Sequence, residues 1–545
     1  MNYKPQNNKS KNINININNI CFYCTLVICT ILIFIFLKNN SGSILSKKYE
    51  ITIFIFVMVA LSTINFYKRN IKLENRFLLI VLILGVIFIF VLPPTQGPDE
   101  RVHMVRSYDV AKGRFFFKGS EDSSILPKSV DEYTHQVSHK RIAFHSQEKL
   151  TKEQYIKAKG IPLDKDKVKL FTAEKTDAYM SIAYIPQGIG MFIGDALNLN
   201  FWYIFLLGRI SNFLVWLILC YLALKIMPVK RELMMFIMLM PICMQQAITL
   251  SPDAMLNSCS FLLIAYILNM KYEKNNITKK DFIIIALLGI GIVAVKLPYI
   301  IISAMILTLP KEKFKSKGNI KKVSIFIGVL IIGFITFSMW GRLSRPIENN
   351  NLTTSSVQLQ EIKEKNENLE EENENLEEES VGYVYTFKQI LMHPIKFISL
   401  VGKTLQKRWD FYLHSFVARF GWLDTMVPNW FVLIAIVTII FLTFNKDEKL
   451  VLSLWDRVVY FLIAFALSAL LFILMFKWDG ADYNKIVIFE GLQGRYLYPF
   501  IIPFLISISK NIIRFDLKKY SWVVPTISIF MLTFSFNVIL LRYWI

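Results

Sequence analysis

The chain has 545 residues, 54% of them hydrophobic, and a formal net charge of +21 from 62 Lys+Arg against 41 Asp+Glu. Its apolar residues gather in blocks of about 15–25, long enough to cross a bilayer, which excludes an ordinary soluble enzyme and a disordered chain. In a soluble protein such a basic excess would point to nucleic acid; in a chain that crosses a membrane repeatedly it belongs to the cytoplasmic loops, and no nucleic-acid partner is expected.

Residues 1–19, rich in Asn and Lys, read as a disordered cytoplasmic tail. The first apolar run, about residues 20–37, is long for a signal-peptide core and lacks a small-x-small cleavage site, so it reads as a retained anchor. Residues 20–76 then hold two additional N-terminal transmembrane helices. The six cysteines, Cys21, Cys24, Cys29, Cys220, Cys243 and Cys259, all lie in apolar stretches and read as small apolar filler, with no disulfide framework or zinc site.

Basic groups orient the rest. Clusters at 68–76, 230–231, 271–280, 311–322 and 510–519 all fit the cytoplasmic side. With them inside, spans fall at about 20–37, 51–67, 77–92, 202–226, 231–250, 254–270, a short hairpin 282–309, 323–341, 428–444, 458–476, 495–509 and 522–541. That is about 13 crossings, with the N-terminus inside and the C-terminus outside. Two large outer pieces follow, 93–201 and 342–427. The first places the apolar stretch 181–199 outside, where Pro186, Gly188, Gly190, Gly194 and Asp195 suit a juxtamembrane or re-entrant helix. The second contains the Glu-rich repeat 361–380, a tandem seven-residue duplication with one apolar position per heptad. That is too few for a coiled coil, and it reads as a solvated low-complexity insertion. Residues 77–341 form the first half of the membrane core and 428–545 the C-terminal transmembrane helices.

After the third span the chain presents Pro98-Asp99-Glu100-Arg101-Val-His103-Met-Val-Arg106 at the outer membrane surface, where a lipid phosphate would lie. Asp99, His103 and Arg106 are spaced i, i+4, i+7 and share one helix face. Asp99 either caps that helix, with Glu100 in its first turn, or acts as a general base. Arg209 lies about two turns into an apolar span; it either faces a cavity or partner or snorkels to the interface. Asp253, in Ser251-Pro252-Asp253, joins two spans at the outer face, and Lys296 marks the outer hairpin turn. Asp424 in Gly421-Trp-Leu-Asp424 and Arg495-Tyr496 in Gln493-Gly-Arg495-Tyr496 each precede a span. Arg209, Lys296 and Arg495 are thus three cations at one membrane face, with Asp99 opposite. Arginine forks suit phosphate, so the set describes an enzyme using a lipid-linked phosphate donor. His135, His139 and His145 read as a solvated loop rather than a metal site.

Pro98-Asp99-Glu100-x-x-His103, Ser251-Pro252-Asp253, Gly421-Trp-Leu-Asp424-Thr and Gln493-Gly-Arg495-Tyr496-Leu-Tyr-Pro499 together resemble a bacterial multi-spanning family, domain of unknown function 2142. The resemblance covers roughly residues 77–510 and leaves the two leading spans and the Glu-rich repeat as additions. That family is similar to the GT-C glycosyltransferases, which use polyprenyl-phosphate-linked sugars outside the membrane. The resemblance implies an all-α polytopic membrane protein, a GT-C-like bundle with a large first extracytoplasmic loop. It also implies Asp99 as catalytic base with Glu100 as its neighbour. The segment from Tyr184-Ile-Pro186-Gln to Gly194, followed by Arg209, resembles the family's Pro-rich juxtamembrane helix and Arg-bearing span, without the usual Pro-Pro pair.

The expected activity is an inverting sugar transfer from a polyprenyl-phosphate sugar to an envelope glycan or lipid acceptor, in a bacterial cytoplasmic membrane, with no metal or other cofactor. Arg495 and Arg209 would hold the leaving phosphate, with Lys296 a third contact and Tyr496 beside them. His103 and Arg106 would orient the sugar or phosphate, and Asp253 and Asp424 would contact sugar hydroxyls. Two rivals stand. A transporter or lipid flippase needs polar residues through the midplane, whereas here they collect at one face. A non-catalytic envelope polysaccharide assembly protein would tolerate loss of Asp99 and Arg495.

Overall fold

In a bilayer every backbone N–H and C=O must find a partner within the protein, so long apolar runs become helices. The computed structural model describes residues 17–39, 48–68, 70–116, 123–172, 179–314, 318–343, 390, 392–478 and 488–544. Most of the N-terminal tail and the Glu-rich repeat 361–380 lie outside the described residues.

Three apolar helices come first, α1 (Ile17–Asn39), α2 (Lys48–Tyr67) and α3 (Leu73–Val91). Pro93 and Pro94 stop α3, since proline supplies no N–H and restrains the residue before it. The chain then builds a small unit: α4 (Glu100–Ala111), β1 (Ser123–Pro127), α5 (Lys128–Gln136), α6 (His139–Phe144), α7 (Lys152–Gly160), β2 (Val168–Thr172), a 3₁₀ turn at Ser181–Tyr184 and α8 (Ile185–Ala196). The strands pair antiparallel, Ile125 opposite Leu170 and Pro127 opposite Val168. Met104, Val105, Tyr108, Leu126, Tyr133 and Phe171 form its core and continue onto Phe201, Trp202 and Phe205 of the next helix.

That helix is α9 (Phe201–Ile226). After it come α10 (Arg231–Met238), α11 (Pro241–Ile248), α12 (Asp253–Tyr272), α13 (Lys279–Val295), a 3₁₀ segment Leu297–Thr308 and α14 (Gly318–Leu343). The C-terminal part holds α15 (Pro394–Val417), the short strands β3 (Arg419–Phe420) and β4 (Thr425–Met426), α16 (Asn429–Phe444), α17 (Leu454–Trp478), a 3₁₀ turn Gly494–Leu497, α18 (Tyr498–Ile508) and α19 (Val523–Tyr543).

Among the described residues, eight helices are long and apolar enough to cross a membrane: α1, α2, α3, α9, α12, α14, α17 and α19. Shorter apolar helices lie at Leu297–Thr308, Asn429–Phe444 and Gly494–Ile508. The expected span at 231–250 is instead two eight-residue helices, α10 and α11, broken before Pro241. Met240 sits at φ −58°, ψ 136°, the extended conformation favoured before proline. Both helices are almost wholly buried, and a run apolar all round suits a protein interior as well as it suits lipid.

Burial sorts the long helices. α19 has 89% of its apolar window buried, α14 only 11%. α19 packs Phe536 against Phe54 of α2 and Phe88 of α3, with ring centroids 5.7 and 5.1 Å apart. Just before α19, Trp522 donates its indole N–H to Asn18 Oδ1 of α1 at 2.7 Å and packs edge-on against Phe22.

The stretch 181–199 forms a 3₁₀ turn and α8. One face of α8 leaves Ile185, Ile189, Phe192 and Ile193 exposed. The other brings Gly190 so close to α9 that a Cβ there would collide with the Leu207 carbonyl. Gly190→Ala should therefore force the two helices apart and cost about 1–3 kcal/mol, read as a lower thermal midpoint of the detergent-purified protein. An unchanged midpoint would show that the seam can open freely.

Candidate functional site

Beyond α3 the loop 93–99 turns back by placing Thr95 and Asp99 at positive φ, 63° and 56°. Asp is among the few residues that enter this left-handed region readily. Asp99 stands at the N-cap of α4, yet its side chain makes no capping hydrogen bond. It is 58% exposed, with Oδ2 3.8 Å from Nη2 of Arg495, whose own side chain is 7% exposed.

Glu100, next in sequence, points the opposite way and is fully buried. Arg209 Nε donates to its Oε1 at 2.8 Å and Nη2 to its Oε2 at 2.7 Å. The remaining guanidinium N–H groups donate to the carbonyls of Ile89, Leu92 and Pro93. Glu100 also accepts from the Gly97 and Leu250 N–H groups. Arg209 therefore has its donors committed to the protein and none directed at a phosphate. It faces a buried partner rather than snorkelling to the interface.

His103, one turn into α4, is buried with Nδ1 2.9 Å from Tyr184 Oη. Burial pulls its pKa down to about 4, against the opposing pull of Asp99 and Asp253. The same imidazole feels Arg495 and Lys296, so five charged or titratable groups from four parts of the chain converge here. Lys296 follows the C-terminus of α13, where the helix gives way at φ −150°, ψ 108°. Its Nζ reaches Asp253 Oδ1 at 3.2 Å and lies 4.4 Å from the Tyr496 ring centroid. The Arg495 guanidinium lies 5.4 Å from the same ring. The Arg495 turn is held by Ser415 Oγ, which accepts from the Gly494 N–H at 2.8 Å, and by Tyr299 Oη, which donates to the Tyr496 carbonyl at 2.9 Å. The buried Nε of Arg495 has no hydrogen-bond partner.

The structure thus brings together Asp99, His103, Asp253, Lys296, Arg495 and Tyr496. It places two others elsewhere. Arg106 is buried and donates to the Arg114 and Phe115 carbonyls and to Ser181 Oγ, tying α4 to the segment before α8. Asp424 accepts from Arg542 Nε at 2.8 Å and Nη2 at 2.6 Å and from Tyr543 Oη. It pins the end of α19 to the β3–β4 turn, while Arg542 also reaches the Glu148 carbonyl. His139, expected in a solvated loop, is buried with its ring 5.5 Å from that of Trp422. Among the described residues no three His, Cys, Asp or Glu side chains gather as metal ligands.

Four further neighbours, none of them among the expected site residues, complete the cluster. Gln246 donates to Asp253 Oδ2 at 3.0 Å, and Asn257 donates to Gln246 Oε1 at 2.9 Å. Tyr179 lies edge-on to His103, and Tyr184 bonds it. The one available signal was the pair Gln245-Gln246 inside an otherwise apolar run, since buried amides require partners.

A family model described as "Predicted membrane protein (DUF2142)" matches residues 82–504. No curated protein and no solved structure matches the chain.

Two outcomes follow from this geometry. Glu100→Ala strands a buried guanidinium and should cost about 3–5 kcal/mol, read as loss of the folded detergent-solubilised fraction. In acid, His103 and His139 both have folded pKa values of about 4 against an ordinary 6.5. The unfolded chain then binds more protons between those values, so stability falls as pH drops from 6.5 towards 4 and levels off below. Each imidazole contributes about 3 kcal/mol to that loss. A His103→Asn/His139→Phe protein should show a visibly flatter thermal-midpoint profile over this window; an equally steep profile would contradict the assignment.

Proposed function

We propose that this chain, which belongs to the DUF2142 family of predicted membrane proteins, moves a sugar from a polyprenyl-phosphate-linked donor to an envelope glycan or lipid acceptor. The family and the eight apolar helices make it a multi-pass membrane protein. The observation that carries the functional reading is the Asp99–Arg495 arrangement. A buried arginine with an unpartnered Nε stands beside an exposed carboxylate, at a point where an apolar helix ends.

Arginine at such a place suits a phosphate, which it can hold through two parallel hydrogen bonds. In the reaction, the acceptor hydroxyl gives its proton to Asp99. Its oxygen forms a bond to the anomeric carbon, and the bond from that carbon to the carrier phosphate oxygen breaks. The electron pair leaves on the phosphate. Arg495, with Lys296 nearby, stabilises the charge that develops there, and preorganised cations in a partly dry site contribute strongly to such a step. A phosphate on Arg495 would also compete for the guanidinium and leave Asp99 free to accept the proton. His103, kept neutral by burial, serves as a hydrogen-bonding rather than a charged contact. Asp253 keeps Lys296 oriented and is itself held by Gln246. Arg209, Arg106 and Asp424 are given positioning roles, since their bonds run to the protein's own framework.

Asp99→Asn should lower transfer from a radiolabelled polyprenyl-phosphate sugar by about 10²–10⁴-fold with an unchanged thermal midpoint. Arg495→Ala should lower it as far, and Arg495→Lys less. Envelope glycans of Asp99→Asn cells should lack the product. Transfer at the normal rate by a folded Asp99→Asn protein would remove the base role.

A further inference from the structure

α15 is a long helix in which three faces carry three chemistries. At helical spacing Ile395, Ile398, Gly402, Leu405 and Trp409 fall on a single stripe. The four large side chains of that stripe are 83%, 69%, 47% and 61% exposed, and a Cβ at Gly402 would meet open space. A second face packs on the protein. Leu400 and Thr404 are buried, Thr404 Oγ1 accepts from the Phe489 N–H at 3.0 Å, and Arg408 pairs with Glu490 at 2.9 Å. A third face carries Lys403 and Lys407, both exposed. Among the described residues neither makes an ion pair.

The last turn of the helix shows where it sits. α14 finishes at Leu343 before it, and the apolar helix α16 begins at Asn429 after it. Its last turn supports the Arg495 turn through Ser415 and Gly494, and Tyr498 Oη donates to the Phe416 carbonyl. The last turn of α15 therefore lies beside the Arg495 turn, where the apolar helix α18 begins. α15 cannot itself be a span, because Lys396, Lys403, Lys407, Arg408 and Asp410 interrupt it. A stripe with large aliphatic residues and a tryptophan, facing away from the protein at that level, is costly in water. It matches the acyl–headgroup boundary, where Trp is enriched. Lysines on the adjoining face match anionic headgroups, each contributing through the surface potential.

We propose that α15 is an interfacial helix. Its Ile395–Trp409 stripe lies in the leaflet on the Asp99 side, and Lys403 and Lys407 contact the phosphates of anionic lipids. The occupant is the lipid surface, and the consequence is a fixed depth. Through Ser415 and Gly494 the helix holds Arg495 at the level of the headgroup phosphates, whatever reaction that arginine serves.

The test uses the full chain, with its six cysteines replaced by alanine and its thermal midpoint verified, reconstituted in nanodiscs of phosphatidylcholine with or without phosphatidylglycerol. Spin labels on Ile398→Cys and Leu405→Cys should be accessible to oxygen and shielded from a water-soluble nickel reagent; a label on Lys403→Cys should show the reverse. Spin-labelled phosphatidylglycerol should be enriched around the protein, and Lys403→Glu with Lys407→Glu should lower that preference roughly fivefold per charge. Nickel access at 398 and 405 equal to that at 403 would overturn the proposal, as would shielding of both from oxygen and nickel, which would reveal a protein partner or second copy. Loss of transfer activity without any change in label depth would bear on the functional reading and leave this one standing.

Discussion

The Glu100–Arg209 ion pair is the constraint on which the candidate site rests. It is buried on both sides, and taking two charges out of water is expensive unless the geometry is nearly complete. Here it is. The five guanidinium N–H groups all meet acceptors, and both carboxylate oxygens accept additional backbone N–H groups. The acceptors for Arg209 include the Ile89 carbonyl in the last turn of α3 and those of Leu92 and Pro93 just beyond it, where a helix end leaves carbonyls without partners. One side chain therefore closes the end of α3, anchors the start of α4 and fixes α9 against both. With Glu100 pulled inward, its neighbour Asp99 is turned outward in a left-handed conformation. The exposed carboxylate is a product of the buried one.

Around Asp99 the charges are arranged as two linked pairs rather than as a cationic patch. Lys296 is satisfied by Asp253, whose other oxygen is held by Gln246 and, through it, by Asn257. Arg495 stands 3.8 Å from Asp99, longer than a charge-assisted hydrogen bond. The first pair is closed and the second is open. An incoming anion meets least competition at Arg495.

Patterns local in the chain are legible from the residues alone. Apolar runs announce helices, and Pro93-Pro94 and Lys296-Leu297-Pro298 announce where helices give way. The Pro/Gly-interrupted stretch after residue 180 announces a short helix at the surface, and three of the four motif segments supply residues that neighbour one another in the structure. Three things were not legible. The run 231–250 looks like one helix because its apolar residues continue across the break before Pro241. Arg209 looks like a free cation because its partner is 109 residues earlier in the chain. Whether an arginine is spent or available depends on such partners, and Arg106 likewise donates to acceptors that only the fold supplies, the Arg114 and Phe115 carbonyls and Ser181 Oγ. β1 and β2 are five residues each and separated by three helices, so no hairpin signal connects them.

Helices far apart in the chain are fastened to each other. Phe54 of α2 meets Phe536 of α19, and Asn18 of α1 receives the Trp522 indole. Arg76, at the base of α3, donates to the carbonyls of both Asn65 and Ser521. The family match spans residues 82–504, so α1, α2 and α19 all fall outside it. During synthesis the faces of α2 and α3 that will cover α19 are made more than 400 residues before it. Until α19 is made, those faces are covered by lipid or by another protein. The two flanks outside the family match therefore close on one another only after the residues between them have been made.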